Sequence, residues 1–207
     1  MIEHAKGAVY AVFALAGAAF AAFASRIPEI KAILDLSAGE LGISLLAASL
    51  GSLLGLPAAG WFVHRIGAAR TVGAGVIIGM IGILTIGLGV DVFASRWIVT
   101  AGLWGVGLGV GSWDVAMNIE GAVVERHLGR AIMPRFHAAF SGGTVISALI
   151  GAAMAAIGAR ILPHLIGIIV LVVAVATWAL PKFLPRQAHD VPQDAGDTSS
   201  RCCRGNR

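Results

Sequence analysis

Asp114 and Asn118 stand four residues apart in GVGLGVGSWDVAMNIE (105–120), and His137 lies in FHAAFSGG (136–143); these are the side chains whose types and apolar surroundings point to chemistry. Four residues make about one helical turn, so the carboxylate and the carboxamide share a face. A carboxylate within a bilayer costs about 2.5–3.5 kcal/mol at mid-depth and less near an interface, so it faces a bundle interior or a watery path. There it can bind a cation or exchange a proton. An aspartate near the interface has a second use, solvated by headgroups or paired with a loop arginine such as Arg70 or Arg130. His137 follows Pro134 at the start of one apolar run, and His164 sits early in the next. Imidazole suits a proton relay, while a histidine at a helix end also serves as a solvated or capping group. Arg26 and Glu29, flanking Pro28 in SRIPEIK, read as a solvated loop face.

The elements that must hold these residues follow from composition. Of 207 residues, 57% are hydrophobic and 13% charged, with 28 glycines and a mean hydropathy of +0.86. That balance belongs to a membrane protein. Six runs approach the roughly 20 apolar residues that cross a hydrocarbon core about 30 Å thick. They lie at about 7–25, 40–63, 71–90, 95–117, 136–158 and 161–181. The runs are apolar on every face, which excludes alternating barrel strands and leaves an all-α, polytopic bundle of six transmembrane helices. The first run ends in Ala22-Phe23-Ala24-Ser25 and imitates a signal cleavage site. A lone Lys6 balanced by Glu3, with five runs following, favours its retention as a helix.

With the N-terminus inside, Lys6, Arg65, Arg70, Arg126, Arg130, Arg135, Lys182 and Arg186 lie inside, and Arg26, Lys31, Arg96 and Arg160 outside. The excess on one side predicts a multi-pass protein of a bacterial inner membrane with both termini cytoplasmic. The formal charge of +4 is scattered through short gaps, which argues against a nucleic-acid partner. Residues 182–207 turn polar and read as a disordered cytoplasmic tail. Cys202 and Cys203 are adjacent within it and supply neither a staple nor metal-ligand spacing, so no metal or cofactor is expected. The expected partners are the lipid bilayer and a small-molecule solute.

Helices in lipid associate through close contact between small residues. Gly51 with Gly55, Gly75 with Gly79, Gly105 with Gly109, Gly107 with Gly111, and the series Gly143, Ser147, Gly151 each place small residues on one face. The glycine run before Asp114 lacks the Gly-x-Gly-x-x-Gly spacing and the preceding strand of a dinucleotide site.

GWFVHRIGAAR at 60–70 interrupts two apolar runs and reads as a tight turn, in which Gly60 lets helices approach, Gly67 supplies a turn conformation, and Arg65 and Arg70 hold the inner face. Its spacing, Gly60-x-x-x-His64-Arg65-x-Gly67-x-x-Arg70, resembles the signature between the second and third helices of major facilitator superfamily transporters. The series Gly105, Gly107, Gly109, Gly111, Asp114, Asn118 and the FHAAFSGG stretch are similar to the branch of fucose-permease-like sugar:proton symporters. The resemblance covers roughly 7–181 and implies one six-helix half of a twelve-helix fold, completed by a homodimer partner or a second six-helix half. It also implies a conformational latch at Gly60, His64, Arg65, Gly67 and Arg70. The consensus acid of that latch is His64 here, and Ala101 stands where the family's fourth-helix arginine is expected, with Arg96 further away.

The reading is therefore a transporter half that moves a small solute, for which a sugar is the leading example, by alternating access, with Asp114, Asn118 and His137 as coupling candidates. Efflux of amphipathic compounds is a variant of it. A truncated, non-transporting remnant or a membrane interaction protein is a second class. An intramembrane protease built on Ser141-Gly142 and His164 is a weaker third, because Ala139 occupies the glycine position and a serine nucleophile needs a base within reach.

Overall fold

Where no water can serve the peptide groups, an apolar run satisfies them within itself and becomes a helix. The computed structural model describes residues 1–185 as α1 (Ile2–Ala24), α2 (Ile27–Ile33), α3 (Ala38–Ile66), α4 (Ala68–Asp91), α5 (Arg96–Leu128), α6 (Met133–Ala156) and α7 (Ile161–Ala179), followed by a 3-10 turn at Leu180–Lys182. Six spans are long and apolar enough to cross a membrane, the first running through α1 and α2. The chain is a multi-pass, all-helical membrane protein. Most of the tail expected at 182–207, including Arg186, Cys202 and Cys203, lies outside the described residues.

Acidic side chains receive the free N–H groups at several helix starts. Ser37 and Glu40 form a reciprocal capping box at α3. Glu125 Oε2 accepts from the Ile132 and Met133 amides, both at 2.7 Å, and so ties the end of α5 to the start of α6. Asp91 Oδ2 accepts from the Leu162 amide at 2.8 Å and binds the end of α4 to the start of α7. Gly129, at φ +62°, ends α5 in a left-handed conformation open to glycine.

The expected end of the fourth span at 117 is corrected by the structure. Helix α5 continues through Glu120, Glu125 and Arg126 to Leu128. Its 33 residues rise about 50 Å, well past a hydrocarbon core of roughly 30 Å. Charge marks where lipid stops, and a helix can go on into water. Asp114 is consequently far from the helix end, although it lies about two turns inside the level of the α3–α4 turn: Gly75, seven residues into α4, packs against Trp113.

Helix α5 packs against α3 on one side and α4 on the other, while α1 packs against α6 and α7; contacts of α4 with α7 and of α1 with α5 join the two groups. The close approaches are backbone to backbone. A methyl at Gly107 would fall on the Ala48 carbonyl, and one at Gly51 on the Trp104 carbonyl, between α3 and α5. Gly75, Gly82, Gly102 and Gly109 meet the facing backbone between α4 and α5, where Gly105 also touches Gly82. Gly79 sits in looser contact with Val110, and Gly111 faces Ser52 of α3. Gly55 meets the Leu108 carbonyl. Between α1 and α6, Gly17 meets the Phe140 carbonyl and Gly143 the Ala14 carbonyl, and Ser147 Oγ donates to the Ala18 carbonyl at 2.8 Å. Phe13, Trp113, Met117 and Phe136 fill the interior.

Neighbouring glycines of α6 provide the test. Gly143→Ala should destabilise the folded chain by roughly 1–3 kcal/mol, the scale of overpacking. Gly142→Ala, whose methyl meets nothing within 4 Å among the described residues, should leave it unchanged. Denaturant midpoints in mild detergent decide it, and equal midpoints contradict the packing argument.

Candidate functional site

The bundle leaves one side open. Only 17% of the most apolar window of α3 and 11% of that of α6 are buried within the chain, against 61% for the first span. These two helices flank a trough whose floor is α1 and α5.

Near the end that carries Met1, the trough holds the polar residues. Asp114 is exposed on α5. Asn118 Nδ2, one turn on, donates to the Asp114 carbonyl at 2.8 Å and lies 3.4 Å from its Oδ1. His137 reaches the same region from α6 and lies within electrostatic range of the Asp114 carboxyl. Its ring stands edge-on to Phe13 at 5.3 Å, and Phe13 in turn stacks on Phe136 at 5.5 Å. Buried aromatics thus fix the imidazole from behind. No ion pair joins Asp114 to Arg70 or Arg130 among the described residues, so the paired-arginine role is not the one it has here.

Deeper in the trough, Phe20 and Phe23 of α1, Ala48, Ser49 and Ser52 of α3, and Val106, Gly107 and Val110 of α5 line a half-open cavity of about 200 Å³. The two phenyl rings meet edge to face at 5.7 Å. Ser52 Oγ, in this lining, donates to the Gly107 carbonyl at 3.1 Å. The lining carries hydroxyls and aromatic edges but no charged side chain.

Residues 60–70 are placed differently from the expected break. Helix α3 runs through Gly60, His64 and Arg65 to Ile66, and Gly67 alone separates it from α4. Gly67 has φ +87°, and its carbonyl accepts from Thr71 Oγ1 at 2.9 Å. Gly60 does not sit at a helix crossing: a methyl there meets nothing within 4 Å among the described residues. The Arg65 guanidinium lies 4.9 Å from the Trp61 ring, and His64 and Arg70 are exposed. Arg96 pairs with Glu40 at the opposite end, between α5 and α3.

Arg26 and Glu29 are not a solvated loop face either. Arg26 is fully buried and His164 nearly so, because the α1–α2 connection folds against the starts of α7 and the end of α6. Glu120, which no sequence pattern singles out, is fully buried and accepts from the Leu184 amide at 2.7 Å, holding the chain where it leaves α7. Its four preceding neighbours give no sign of this, since the partner is 64 residues away.

The sequence pattern of the major facilitator superfamily matches residues 9–201. The chain belongs to that superfamily. An uncharacterized transporter of Sinorhizobium fredii is 31% identical over 140 residues, covering 68% of this chain and 36% of that protein. An uncharacterized MFS-type transporter of Yersinia pestis is 32% identical over 136 residues, 66% of this chain and 34% of that protein. The chain spans about a third of the length of the curated relatives it matches. The superfamily comprises transporters and not enzymes. The geometry agrees: Ser141 Oγ donates to the His137 carbonyl at 3.1 Å, while His164 lies beside Gly151, ten residues or about 15 Å further along α6.

The grouping in the trough is open to a direct check. With Cys202 and Cys203 replaced by serine, Asp114→Cys combined with His137→Cys should be bridged by a short bifunctional maleimide, and Asp114→Cys combined with His164→Cys should not. Equal bridging of both pairs, or of neither, contradicts the arrangement.

Proposed function

We propose that the chain is a six-helix half of a secondary transporter, which moves a small uncharged solute of the sugar type by alternating access and couples it to protons through Asp114. The observation that carries this reading is the trough. It combines an uncharged cavity edged by Phe20, Phe23, Ser49 and Ser52 with a polar group, the ionisable Asp114 and His137 together with Asn118, nearer one end. Phenyl edges and serine hydroxyls suit a neutral polyol, and a charged solute would find no counter-charge in the cavity. A cavity of about 200 Å³ is smaller than the roughly 300–1,000 Å³ of a complete ligand pocket, so a second half opposite α3 and α6 is needed to close it. That half is a second copy of this chain or another six-helix unit, related by an axis along the membrane normal. Exposed ionisable side chains in the trough favour such a cover over lipid tails.

The excess of arginine and lysine at the end carrying Met1 supports a cytoplasmic placement of that end, in a bacterial inner membrane. The α3–α4 turn with Gly67, Arg65 and Arg70 then faces the cytoplasm, where it can serve as the latch of alternating access, with His64 in place of a permanent acid.

Two measurements test the reading. The protein mass of the complex after mild solubilisation should be twice the 21.2 kDa chain mass, or that mass plus a partner. A lone protomer would instead mark an incomplete transporter. In proteoliposomes holding the complex, Asp114→Asn should lower pH-driven uptake of radiolabelled monosaccharides about tenfold, equivalent to roughly 1.4 kcal/mol on the barrier. Equal pH-driven uptake by both proteins removes Asp114 from the coupling.

A further inference from the structure

The end of the bundle opposite Met1 holds a second ionisable group that the trough does not use. Arg26, just after α1, is fully buried. Its Nη2 donates to the backbone carbonyl of Ala159, in the α6–α7 connection 133 residues later. Its Nε lies 2.8 Å from Glu29 Oε2 on α2. Buried Nη1 has no hydrogen-bond partner among the described residues. Beside it, His164 is 8% exposed, and neither of its ring nitrogens has a hydrogen-bond partner among those residues. Ser25 and Gly151 close the group: a methyl on Gly151 would meet Ser25 Oγ and stand 3.5 Å from His164 Cε1.

The charges acting on His164 are those of Arg26 and Glu29. Helix α6 faces it with Gly151, which cannot titrate. Helix α4 supplies Asp91, which is already engaged by the Leu162 amide and lies 3.6 Å from Arg160 Nε. A neutral imidazole can share this space with the guanidinium. A protonated one sets a second buried cation beside Arg26, with Glu29 alone to offset the two. The cheapest relief is for Arg26 to leave the Ala159 carbonyl, because among the described residues that hydrogen bond is what ties the arginine to the α6–α7 connection.

We propose that His164 is a proton-binding site at this end of the bundle, set against Arg26 and Glu29, whose protonation releases Arg26 from the Ala159 carbonyl and lets the α1–α2 and α6–α7 connections part. The tied arrangement holds fewer protons than the released one, so lowering the pH favours release. The site is separate from Asp114 and needs no solute.

Spin labels at Ile33 and Ile157, both exposed, report the separation of the two connections in the full chain with Cys202 and Cys203 replaced by serine and reconstituted in lipid. The expected result is one distance at about pH 8 and a second, longer population at about pH 5, on either side of the ordinary imidazole range. His164→Gln keeps a polar side chain that cannot take up the proton and should hold the single distance at both pH values. An unchanged distance in the otherwise native chain, or the same change in His164→Gln, overturns the proposal. Should His164→Gln fail to fold, Glu29→Gln serves: without the offsetting carboxylate the two buried cations repel more strongly in the tied arrangement, so opening must set in at less acidic pH, and an unmoved midpoint overturns the proposal equally. Transport is not read in this experiment, so its failure leaves the reading of the trough where it stands.

Discussion

Helices in a bilayer gain nothing by hiding apolar surface from lipid, so this bundle depends on how near their backbones can come. Helix α5 is where that constraint is tightest. Gly102, Gly105 and Gly109 turn toward α4, and Gly107 and Gly111 toward α3. At such separations a hydroxyl on one helix reaches the peptide group of the next, as Ser52 does to Gly107 and Ser112 does, more weakly at 3.4 Å, to Gly55. The three helices are thereby held in register. Asp114, one turn beyond the last of these contacts, has its depth set by them.

The ends of the helices obey a different rule. Peptide N–H groups without an intrahelical acceptor need one, and acidic side chains from other segments supply it. Asp91 does so for α7 and Glu125 for α6. Glu120 receives the Leu184 amide after α7 in the same manner. Charged residues that look like punctuation between apolar runs thus connect consecutive and distant elements.

This division explains how much could be read beforehand. The six helices are written locally, as runs of apolar residues, and so is the shared face of Asp114 and Asn118, which needs only a spacing of four. The Ser37–Glu40 capping box has the same local character. The length of α5 is not legible in hydropathy, which records the thickness of lipid, whereas Glu120 and Arg126 interrupt the apolar run without interrupting the hydrogen bonds of the helix. The burial of Arg26 is not legible either, because its acceptor is a backbone carbonyl 133 residues away, and no residue type announces a carbonyl. Glycine shows the limit most plainly. Gly60 and Gly107 both lie inside apolar helices, yet one faces open space and the other a neighbouring peptide. His137 joins Asp114 only because α6 runs alongside α1, a pairing that belongs to the assembled bundle.

That pairing has a mechanical consequence. Gly17, Gly143 and Ser147 bind α1 and α6 as closely as the α5 glycines bind α3 and α4, so each group resists internal displacement. The contact between α1 and α5 is looser, and the cavity lined by Phe20, Phe23, Ser52 and Val110 lies along it. Asp114 stands on one side of this seam and His137 on the other. A small rotation of one group against the other therefore changes the cavity and the Asp114–His137 separation together, and it works against the α4–α7 contact, where Gly87 meets Leu162 and Asp91 accepts from the Leu162 amide. The reverse also holds: a change of charge on either residue acts across the seam between the two groups.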